Sequence, residues 1–487
     1  MRLTQTFRIA LLLIGWWIGI QAASYAQNIE VITPKSIDVQ RLGVDSLASI
    51  RVGRILIIGN KKTKTYIIQR EIPFGVGDSI LQVQFADRLQ QARQQIYNTT
   101  LFLEVRVNPV FHRPDSADIL VEVRERWYFF PLPQFQLLDR NLNEWLDTYN
   151  GDWKRTSYGI RLIHSNLSGR RDPLRISVLN GFNRSVQLSY AQPYSNPALT
   201  RGFGFDASIK ATREFGFKTD SNNILQFYND GSYSRQQISL QANYQIRNRF
   251  LERHLFSVGY NHLKITDSIN LPKHNPNYLK GTRTSSGFVD ISYTFQYVDV
   301  NNVVYPLRGT TAILTAAKRG FGFTGGLNRF MLDLAWNRYF LVKNNWYTSI
   351  ETQGRLMLPF NQPFFNQRAL GYGESYLRGL ENYVIDGPAM ALIRTTLKKK
   401  IVGFKIPLPF EKAGYAFLPI TIFAKTYGDL GYVHNLPQYY SLLNNRLLYT
   451  GGFGVDFLTY YDINLRVEYS FNQLGGHGLF FHVKTGL

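Results

Sequence analysis

From residue 128 onward, apolar and polar residues alternate along the chain with a period of two, which is the pattern of β-strands with one apolar face. In residues 289–297 the odd positions hold Val, Ile, Tyr, Phe and Tyr, whereas Asp, Ser, Thr and Gln hold the even ones. Residues 463–471 alternate in the same way. Divided by turn signals, such segments predict sixteen strands, at 128–138, 156–165, 173–181, 185–194, 202–213, 232–246, 253–267, 285–299, 309–319, 328–341, 346–358, 388–402, 418–433, 446–458, 462–472 and 476–487.

An even number of strands of this length predicts an antiparallel transmembrane β-barrel. Tilted strands of about ten residues cross a bilayer, and an open sheet would leave backbone groups unpaired in lipid. We therefore expect the first and last strands to close the ring at a seam that involves Gln134, Phe135, Gln136, Phe481, Val483 and Leu487. A soluble β-sandwich or propeller is the alternative, but it would not account for the long strands together with the many aromatic residues.

Residues 52–127 have a different pattern, because helical periodicity occurs between strands. The segment 81–97 has one apolar face, made by Phe85, Leu89, Ala92 and Ile96. A short helix is expected after Thr63 or Thr65, with one of them as its cap. Together with strands at 54–58, 103–111 and 118–126, these segments predict a small αβ domain of order β-α-α-β-β. An unrelated small αβ domain has the same pattern.

The first 26 residues have the features of a secretory signal peptide. Arg2 and Arg8 accompany an apolar run over 9–20 that is short for a membrane span, and Ser24 and Ala26 are small residues at a cleavage site. An uncleaved anchor is the alternative. The polar segment that follows, at 27–49, is typical of a linker. The predicted organisation is a signal peptide at 1–26, a linker at 27–49, the αβ domain at 50–127 and the barrel at 128–487.

Composition narrows the class of protein. Aromatic residues make up 15% of the chain and there is no Cys, which favours an envelope protein without disulfides or Cys-bound metal. A mean hydropathy of −0.20 excludes a polytopic helical membrane protein. The net charge of +21 indicates a basic surface or lumen, or attraction to anionic lipid headgroups or acidic clients. Nucleic acid fits poorly, because the sequence has neither zinc-finger spacing nor an arm rich in Lys and Arg.

A long interruption, from about 359 to 387, separates two of the predicted strands. Long loops without secondary structure are uncommon in compact domains and are usually functional or disordered. This one carries too many apolar residues for a disordered segment, among them Phe364, Phe365, Tyr372, Tyr376, Leu377, Leu380, Tyr383, Val384 and Ile385. Within 374–383 the only cation is Arg378, followed by Gly379, which allows a sharp turn. A buried guanidinium needs a carboxylate or other acceptors.

Asp429 is the predicted partner of Arg378. In its strand Asp429 has the same parity as Phe423, Lys425 and Tyr427, whereas the opposite positions are more compatible with lipid, so Asp429 is expected to face the lumen. Gly428 and Gly431 are expected to leave space for the loop. We predict that the loop folds into the barrel and that Arg378 binds Asp429 in a bidentate pair, which Lys would not reproduce.

These residues carry a resemblance to a known superfamily. Leu377-Arg378-Gly379-Leu380 resembles the V-R-G-F/Y signature in the sixth extracellular loop of the BamA/TamA/two-partner-secretion superfamily, with Leu at the first and last positions. Asp429-Leu430-Gly431 is similar to the D-x-G element of strand thirteen, to which that arginine binds. Gln192-Pro193-Tyr194 resembles the D-P-Y segment that closes strand four. The last strand resembles the C-terminal signal of outer-membrane barrels, with Leu487 in place of the usual aromatic.

The αβ domain resembles a POTRA domain, through Gly59-Asn60-Lys61-Lys62-Thr63, Ile68-Gln69-Arg70-Glu71-Ile72, Gly77-Asp78 and Thr100-Leu101-Phe102. The resemblance covers nearly all of the predicted mature chain. It implies a barrel in the bacterial outer membrane with the POTRA-like domain in the periplasm. It also implies unfolded outer-membrane or secreted proteins as clients, with accessory envelope proteins as further candidate partners.

No catalytic constellation is visible in the sequence. The eight His residues are scattered, none at metal-ligand spacing with a second His, and no serine lies in a G-x-S-x-G elbow. Gly451-Gly452-Phe453-Gly454 lies in a predicted strand and indicates a bend rather than a phosphate-binding loop. We expect a protein that is not an enzyme and has no metal or cofactor.

Two main functions follow from the sequence. The first is insertion or translocation of client proteins at the outer membrane, with clients pairing at the strand edge of the POTRA-like domain and at the seam. The alternative is a dedicated secretion channel for one partner protein. A large steady conductance would favour the channel, and a small flickering one would favour the insertase. A binding or structural role in the envelope is a third class.

Overall fold

The computed structural model describes residues 48–137, 152–321, 326–407, 417–459 and 463–484. The predicted signal peptide and nearly all of the predicted linker lie outside these residues. The described chain forms a small αβ domain followed by a large antiparallel sheet. Among the described residues, no helix has the length and apolar character that a membrane span requires.

The αβ domain has the predicted β-α-α-β-β order, with one short extra strand. Its sheet has the order β2-β1-β4-β3, in which β1 and β4 are parallel. The predicted apolar face of the second helix is buried in the core. The first helix differs from the prediction at its start, because Lys64 is its N-cap and no side chain caps it. The elements are β1 Ser49–Ile58, α1 Thr65–Gln69, β2 Ser79–Leu81, α2 Gln82–Tyr97, β3 Phe102–Arg113 and β4 Ser116–Glu125.

The large sheet has sixteen strands, each paired antiparallel with the next sheet strand along the chain. All sixteen predicted strands are confirmed, with ends shifted by a few residues. They are β5 Phe129–Leu137, β6 Thr156–His164, β7 Leu174–Gly181, β8 Asn183–Gln192, β9 Arg201–Thr212, β12 Arg235–Ile246, β13 Glu252–Ile265, β14 Ser285–Val300, β15 Gly309–Arg319, β16 Arg329–Lys343, β17 Trp346–Leu358, β20 Ala389–Pro407, β21 Phe417–His434, β22 Leu447–Leu458, β23 Asn464–Asn472 and β24 His477–Lys484.

The sheet does not close in the described residues, which corrects the expectation of a sealed ring. β5 and β24 are its two edges, and no ladder joins them. β5 contains Pro131 and Pro133, which have no backbone N–H to donate. Proline occurs in sheets essentially on edge strands, because a ladder on both sides would need those donors. The composition of β5 therefore disfavours a continuous ladder with β24.

The end of the sheet next to the αβ domain, where β5 begins, is called here the near end. At the opposite far end, two short hairpins lie outside the sixteen strands: β10 Phe215–Thr219 with β11 Leu225–Tyr228, and β18 Arg368–Leu370 with β19 Ile385–Asp386. An apolar cluster, the far-end cap, joins the first hairpin to neighbouring loops and strands and includes Phe215, Phe217, Leu263, Ile265, Ile269, Tyr278, Leu279, Phe288 and Leu327. Phe364 and Phe365 of the long loop pack against it.

Candidate functional site

The long loop between β17 and β20 folds onto the inner wall of the sheet. Its apolar side chains form one buried cluster with residues of the wall and of the neighbouring loop: Ala369, Leu370, Leu377, Leu380 and Ile385 pack with Met390, Leu392, Val433, Leu443 and Leu448. The loop is also tied to the first far-end hairpin, because Asp386 accepts a hydrogen bond from the hydroxyl of Thr219 at 2.5 Å, while Tyr372 of the loop itself donates to the same carboxylate at 2.7 Å. The predicted apolar character of the loop is thus satisfied by burial against the wall.

Arg378 lies at the tip of this loop and contacts Asp429 of β21. Its Nη2 and Nε atoms donate to the two carboxylate oxygens of Asp429 at 2.5 and 2.9 Å, and its backbone N–H donates to the same carboxylate at 3.0 Å. Nη1 donates to the hydroxyl of Thr396, and Nη2 also donates to the carbonyl of Thr395. The guanidinium carbon is 4.0 Å from the centre of the Tyr427 ring. Both charged side chains are buried, with residue exposures of 6% and 1%.

The sequence places Asp429 on the wall through strand parity. In β21 the buried positions alternate with more exposed ones, and Phe423, Lys425, Tyr427, Asp429, Gly431 and Val433 all face inward. The planar guanidinium of Arg378 donates two hydrogen bonds side by side, which match the two oxygens of the buried Asp429 carboxylate. Because every polar atom of this contact has a partner on the loop or the wall, the arrangement holds the loop in one position rather than leaving a reactive group exposed.

Two glycines allow the loop to approach the wall. Gly379 has φ +93°, a conformation that L side chains rarely adopt, and a Cβ there would lie 2.8 Å from Cβ of Ser470. At Gly431 a Cβ would lie 2.8 Å from Leu377, so the missing side chain makes room for the residue before Arg378. Gly428 does not have the predicted role, because a Cβ there would meet only atoms of β20 and β22 at 3.8–3.9 Å. Its even-numbered position places it on the outward face.

The last residue of the loop signature, Leu380, is 3% exposed and packs in the same buried cluster as Leu377. On the other side of the tip, Asn472 of β23 donates to the carbonyl of Gly379 at 2.8 Å. The four signature residues are therefore in direct contact with the wall, of which the Asp429–Gly431 element is a part.

The POTRA family model, described as a surface antigen variable number repeat, matches residues 50–126. The structure of BamA from Haemophilus ducreyi lacking POTRA domains 1–3 is 15% identical, with 90% of this chain and 84% of that chain covered and a TM-score of 0.50. CdiB from Escherichia coli is 12% identical, with 90% of this chain and 76% of that chain covered and a TM-score of 0.51. A comparison with curated protein sequences finds no match.

The chain combines a POTRA domain with the fold of the BamA barrel. This agrees with the predicted fold class, apart from the unclosed edges described above. At these identities the structural likeness establishes the fold alone.

The POTRA domain is fixed to the near end of the sheet by a buried ion pair. Glu71, just after α1, accepts hydrogen bonds from Arg247 at 2.5 and 2.7 Å, in the turn between β12 and β13. Tyr194 donates to Glu71 at 2.8 Å and also accepts a hydrogen bond from Arg247. Arg171 lies 3.6 Å from the same carboxylate. Arg70 donates to the carbonyls of Leu199 and Arg247.

Glu71 and Arg247 are each only 1% exposed. Burial raises the pKa of the Glu71 carboxyl, but the charge and hydrogen bonds of Arg247, with Arg171 and Arg70 nearby, outweigh burial and lower the pKa from 4.5 to about 2. Glu71 is therefore charged at neutral pH. No periodic pattern in the sequence links Glu71 to Arg247; the signal present is the resemblance of the Glu71 and Tyr194 segments to their superfamily counterparts.

A second buried charge cluster lies on the inner wall, closer to the near end than the Arg378 contact. The ammonium of Lys425 contacts the carboxylates of Asp456 on β22 and Glu468 on β23, the latter at 2.6 Å. Tyr305, in the near-end turn between β14 and β15, reaches this cluster and donates to Asp456 at 2.7 Å. The same turn touches the POTRA domain, because the backbone N–H of Val303 donates to the side-chain oxygen of Asn98 after α2 at 3.2 Å, and Asn98 donates to the carbonyl of Val300 at the end of β14 at 2.7 Å.

This cluster could have been suspected from strand parity, because Lys425, Asp456 and Glu468 all occupy inward positions. Parity alone does not give the register of neighbouring strands, so the contacts themselves were not predictable.

The last strand touches the loop through His482. Its imidazole lies 3.7 Å from the carboxylate of Glu381 in the loop and 3.4 Å from that of Glu468 on β23. The ring stacks on Tyr376 of the loop, with centroids 5.7 Å apart. The loop is therefore in contact with an edge strand as well as with the inner wall.

The predicted seam residues lie on the two edge strands. Gln134, Phe135 and Gln136 pair with residues of β6, and Phe481 and Val483 pair with residues of β23. The structure does not bring the two sets together, and Leu487 lies outside the described residues. In the described chain, no group of three or more His, Cys, Asp or Glu side chains is placed to hold a metal ion.

Proposed function

We propose that the protein inserts or translocates client proteins at the bacterial outer membrane. In this proposal residues 1–26 are a signal peptide, 27–49 a linker, 50–127 a periplasmic POTRA domain and 128–487 the membrane-spanning sheet. The protein works without catalytic chemistry or a cofactor, and folding of the client supplies the free energy. Lipid of the outer membrane and unfolded client chains are its partners.

The observation that carries the proposal is the Arg378–Asp429 contact beside an unclosed sheet edge. The contact fixes the loop to β20 and β21, and the loop in turn touches β23 and β24 through Asn472 and His482. The interior near the edge is therefore held in shape while β24 keeps one side without a strand partner in the described residues. Such an edge can accept the backbone of a client strand.

The POTRA domain provides a second place for an extended client. β3 is an edge strand of its sheet, and β2 covers only Ser49–Arg51 of β1. The buried Glu71–Arg247 pair holds this domain at the near end of the barrel sheet. A client paired with the domain would therefore be kept close to the strand ends of the barrel.

The contacts inside the sheet favour insertion over the dedicated secretion channel. The loop packs on the inner wall, the far-end cap joins a hairpin to neighbouring loops, and Tyr305 of the near-end turn donates to Asp456 on the inner wall. We expect small, flickering conductance in planar bilayers. A large steady conductance in the wild-type protein would favour the channel instead.

Depletion of the protein, followed by an inventory of outer-membrane proteins, tests the proposal. Loss of many barrel proteins is expected for an insertase, whereas loss of one secreted protein would identify a dedicated translocator. An unchanged inventory and unchanged secretion would contradict both. Insertion of a purified barrel client into vesicles, with and without the protein, gives the matching direct measurement.

A further inference from the structure

One part of the barrel sheet extends beyond its neighbours at the near end. β17 stops pairing with β20 at Trp346↔Lys399, and β22 stops pairing with β21 at Thr421↔Leu458. β20 and β21 continue to pair with each other as far as Pro407↔Phe417. The end of this strand pair, residues 402–407 and 417–422, is called here the near-end ribbon, and within it 402–407 and 417–420 pair only with each other in the described residues. From 402 to 407 it is roughly 17 Å long at the usual rise per residue.

The outer face of the ribbon is entirely apolar. Three cross-strand pairs make it: Val402↔Ile422, Phe404↔Ile420 and Ile406↔Leu418. A register shift after Lys400 sets this alignment. Without the shift, Ile401, Gly403 and Lys405 would lie opposite Ile422, Ile420 and Leu418, and Phe404 and Ile406 would turn to the inner face, because side chains alternate along a strand. The irregularity therefore joins three apolar pairs into one surface.

This surface continues the outward face of the barrel. Ile422 has the same parity as Ala424 and Leu430, which face outward in β21. Just above the ribbon, the Lys399 ammonium lies 5.2 Å from the centre of the Trp346 ring. Trp and Lys together are typical of the headgroup level of a membrane, since each has an apolar body and a polar tip. In the proposed membrane location, the ribbon therefore begins at the boundary between headgroups and acyl chains.

The geometry points to a lipid-binding function for the ribbon: its outer face inserts into the periplasmic leaflet of the outer membrane, at the boundary between headgroups and acyl chains. This inference rests on the proposed membrane location. Val402 is 43% exposed. If the ribbon lay in water, the apolar face made by the three pairs would be in contact with solvent, which is unfavourable. Phospholipid is favoured over a protein partner, because the face is continuous with the lipid-facing wall and begins at a basic rim residue.

The absence of Cys allows single probes to be placed by substitution. The full-length variants Phe404→Cys and Lys405→Cys carry an environment-sensitive fluorophore on opposite faces of the ribbon, and Ile393→Cys places it on the outward face of β20 within the barrel. Each is reconstituted in phosphatidylethanolamine–phosphatidylglycerol vesicles with brominated acyl chains. Ile420→Cys repeats the measurement on the facing strand, in case one variant does not fold.

We expect the bromines to quench the probes at 393, 404 and 420, and iodide in the buffer to quench the probe at 405. Quenching by lipid at 393 but not at 404 and 420 would overturn the inference and leave the proposed membrane location intact. If iodide does not reach 404 and 420 either, a protein surface covers the face, which also overturns the lipid assignment. No lipid quenching at 393 would refute the membrane location itself, and the ribbon inference with it.

Discussion

The substitution Glu71→Gln tests how firmly the POTRA domain is held against the barrel sheet. The glutamine has nearly the same shape but no charge, so it leaves Arg247 buried at 1% exposure without its counter-ion. Arg70 and Arg171 add further positive charge next to it. Breaking one partner of a buried pair is strongly destabilising because the remaining charge is uncompensated.

The pKa of Glu71 gives the size of the effect. It is held at about 2 in the docked structure, against an ordinary value of 4.5. At about 1.4 kcal/mol for each pKa unit, the charged carboxylate favours the docked domain by about 3 kcal/mol, or on the order of 100-fold in the docking equilibrium. Because the docked pKa is the lower one, this contribution is present above about pH 4.5 and is lost as the pH falls towards 2.

Hydrogen exchange measures this directly. The backbone N–H of Lys64 donates across the interface to the carbonyl of Gly169 at 2.9 Å, so it exchanges when the domain separates from the sheet. In Glu71→Gln we expect exchange at Lys64 to be on the order of 100-fold faster at pH 7. The matched control is Glu104→Gln, which removes an exposed carboxylate of the same domain and should leave the rate unchanged. Equal rates in wild type and Glu71→Gln, with the fold intact, would refute the reasoning.

Three further predictions concern the barrel interior. Arg378→Lys should lower the free energy of unfolding of the barrel by about 3 kcal/mol, because Lys cannot make the bidentate contact with Asp429. An unchanged temperature of the heat-modifiable shift in gel mobility would count against this. Tyr305→Phe removes the hydroxyl that donates to Asp456, at a cost of about 1–3 kcal/mol, and should lengthen the open events in planar bilayers, whereas wild-type conductance would contradict it. Gly379→Ala should loosen the loop by about 1–3 kcal/mol, seen as faster proteolysis within 359–388, because φ is +93° there; wild-type resistance would argue against strain.

The sixteen strands could be predicted because one face of each is apolar and the period of two persists over most of their length. The predicted strand 462–472 and the observed strand Asn464–Asn472 end at the same residue and differ by two residues at the start. The two far-end hairpins were not predicted, since they lie in segments without regular alternation. The unclosed edge could have been suspected from Pro131 and Pro133, whose missing N–H groups are visible in the sequence.

The contacts of the candidate site could likewise be predicted only in part. Strand parity placed Asp429 on the inner face, and the apolar loop with one cation suggested its partner. The Glu71–Arg247 pair joins residues 176 positions apart in different domains, and no local pattern links them. Lys425, Asp456 and Glu468 had the right parity, but their contacts depend on the register of three strands, which periodicity does not determine.

The position of the buried charges leads to a final prediction, for Lys425→Met. The contacts of Arg378 and Lys425 lie on β20 to β23, next to the edge that has no closing ladder. In the variant Asp456 keeps Lys398 at 3.9 Å, and Glu468 keeps His482 at 3.4 Å.

Because two buried carboxylates lose their shared ammonium, we expect about 3–5 kcal/mol less stability in this part of the sheet and faster hydrogen exchange in β22 to β24. Arg319→Met is the matched control, since its ion pair with Asp290 lies on β14 and β15 and is partly exposed, so a smaller effect confined to those strands is expected. If both variants speed exchange in β22 to β24 equally, the cluster has no special role at the edge. A selective effect of Lys425→Met would mean that side-chain charges in the lumen hold these strands in place where the backbone ladder ends.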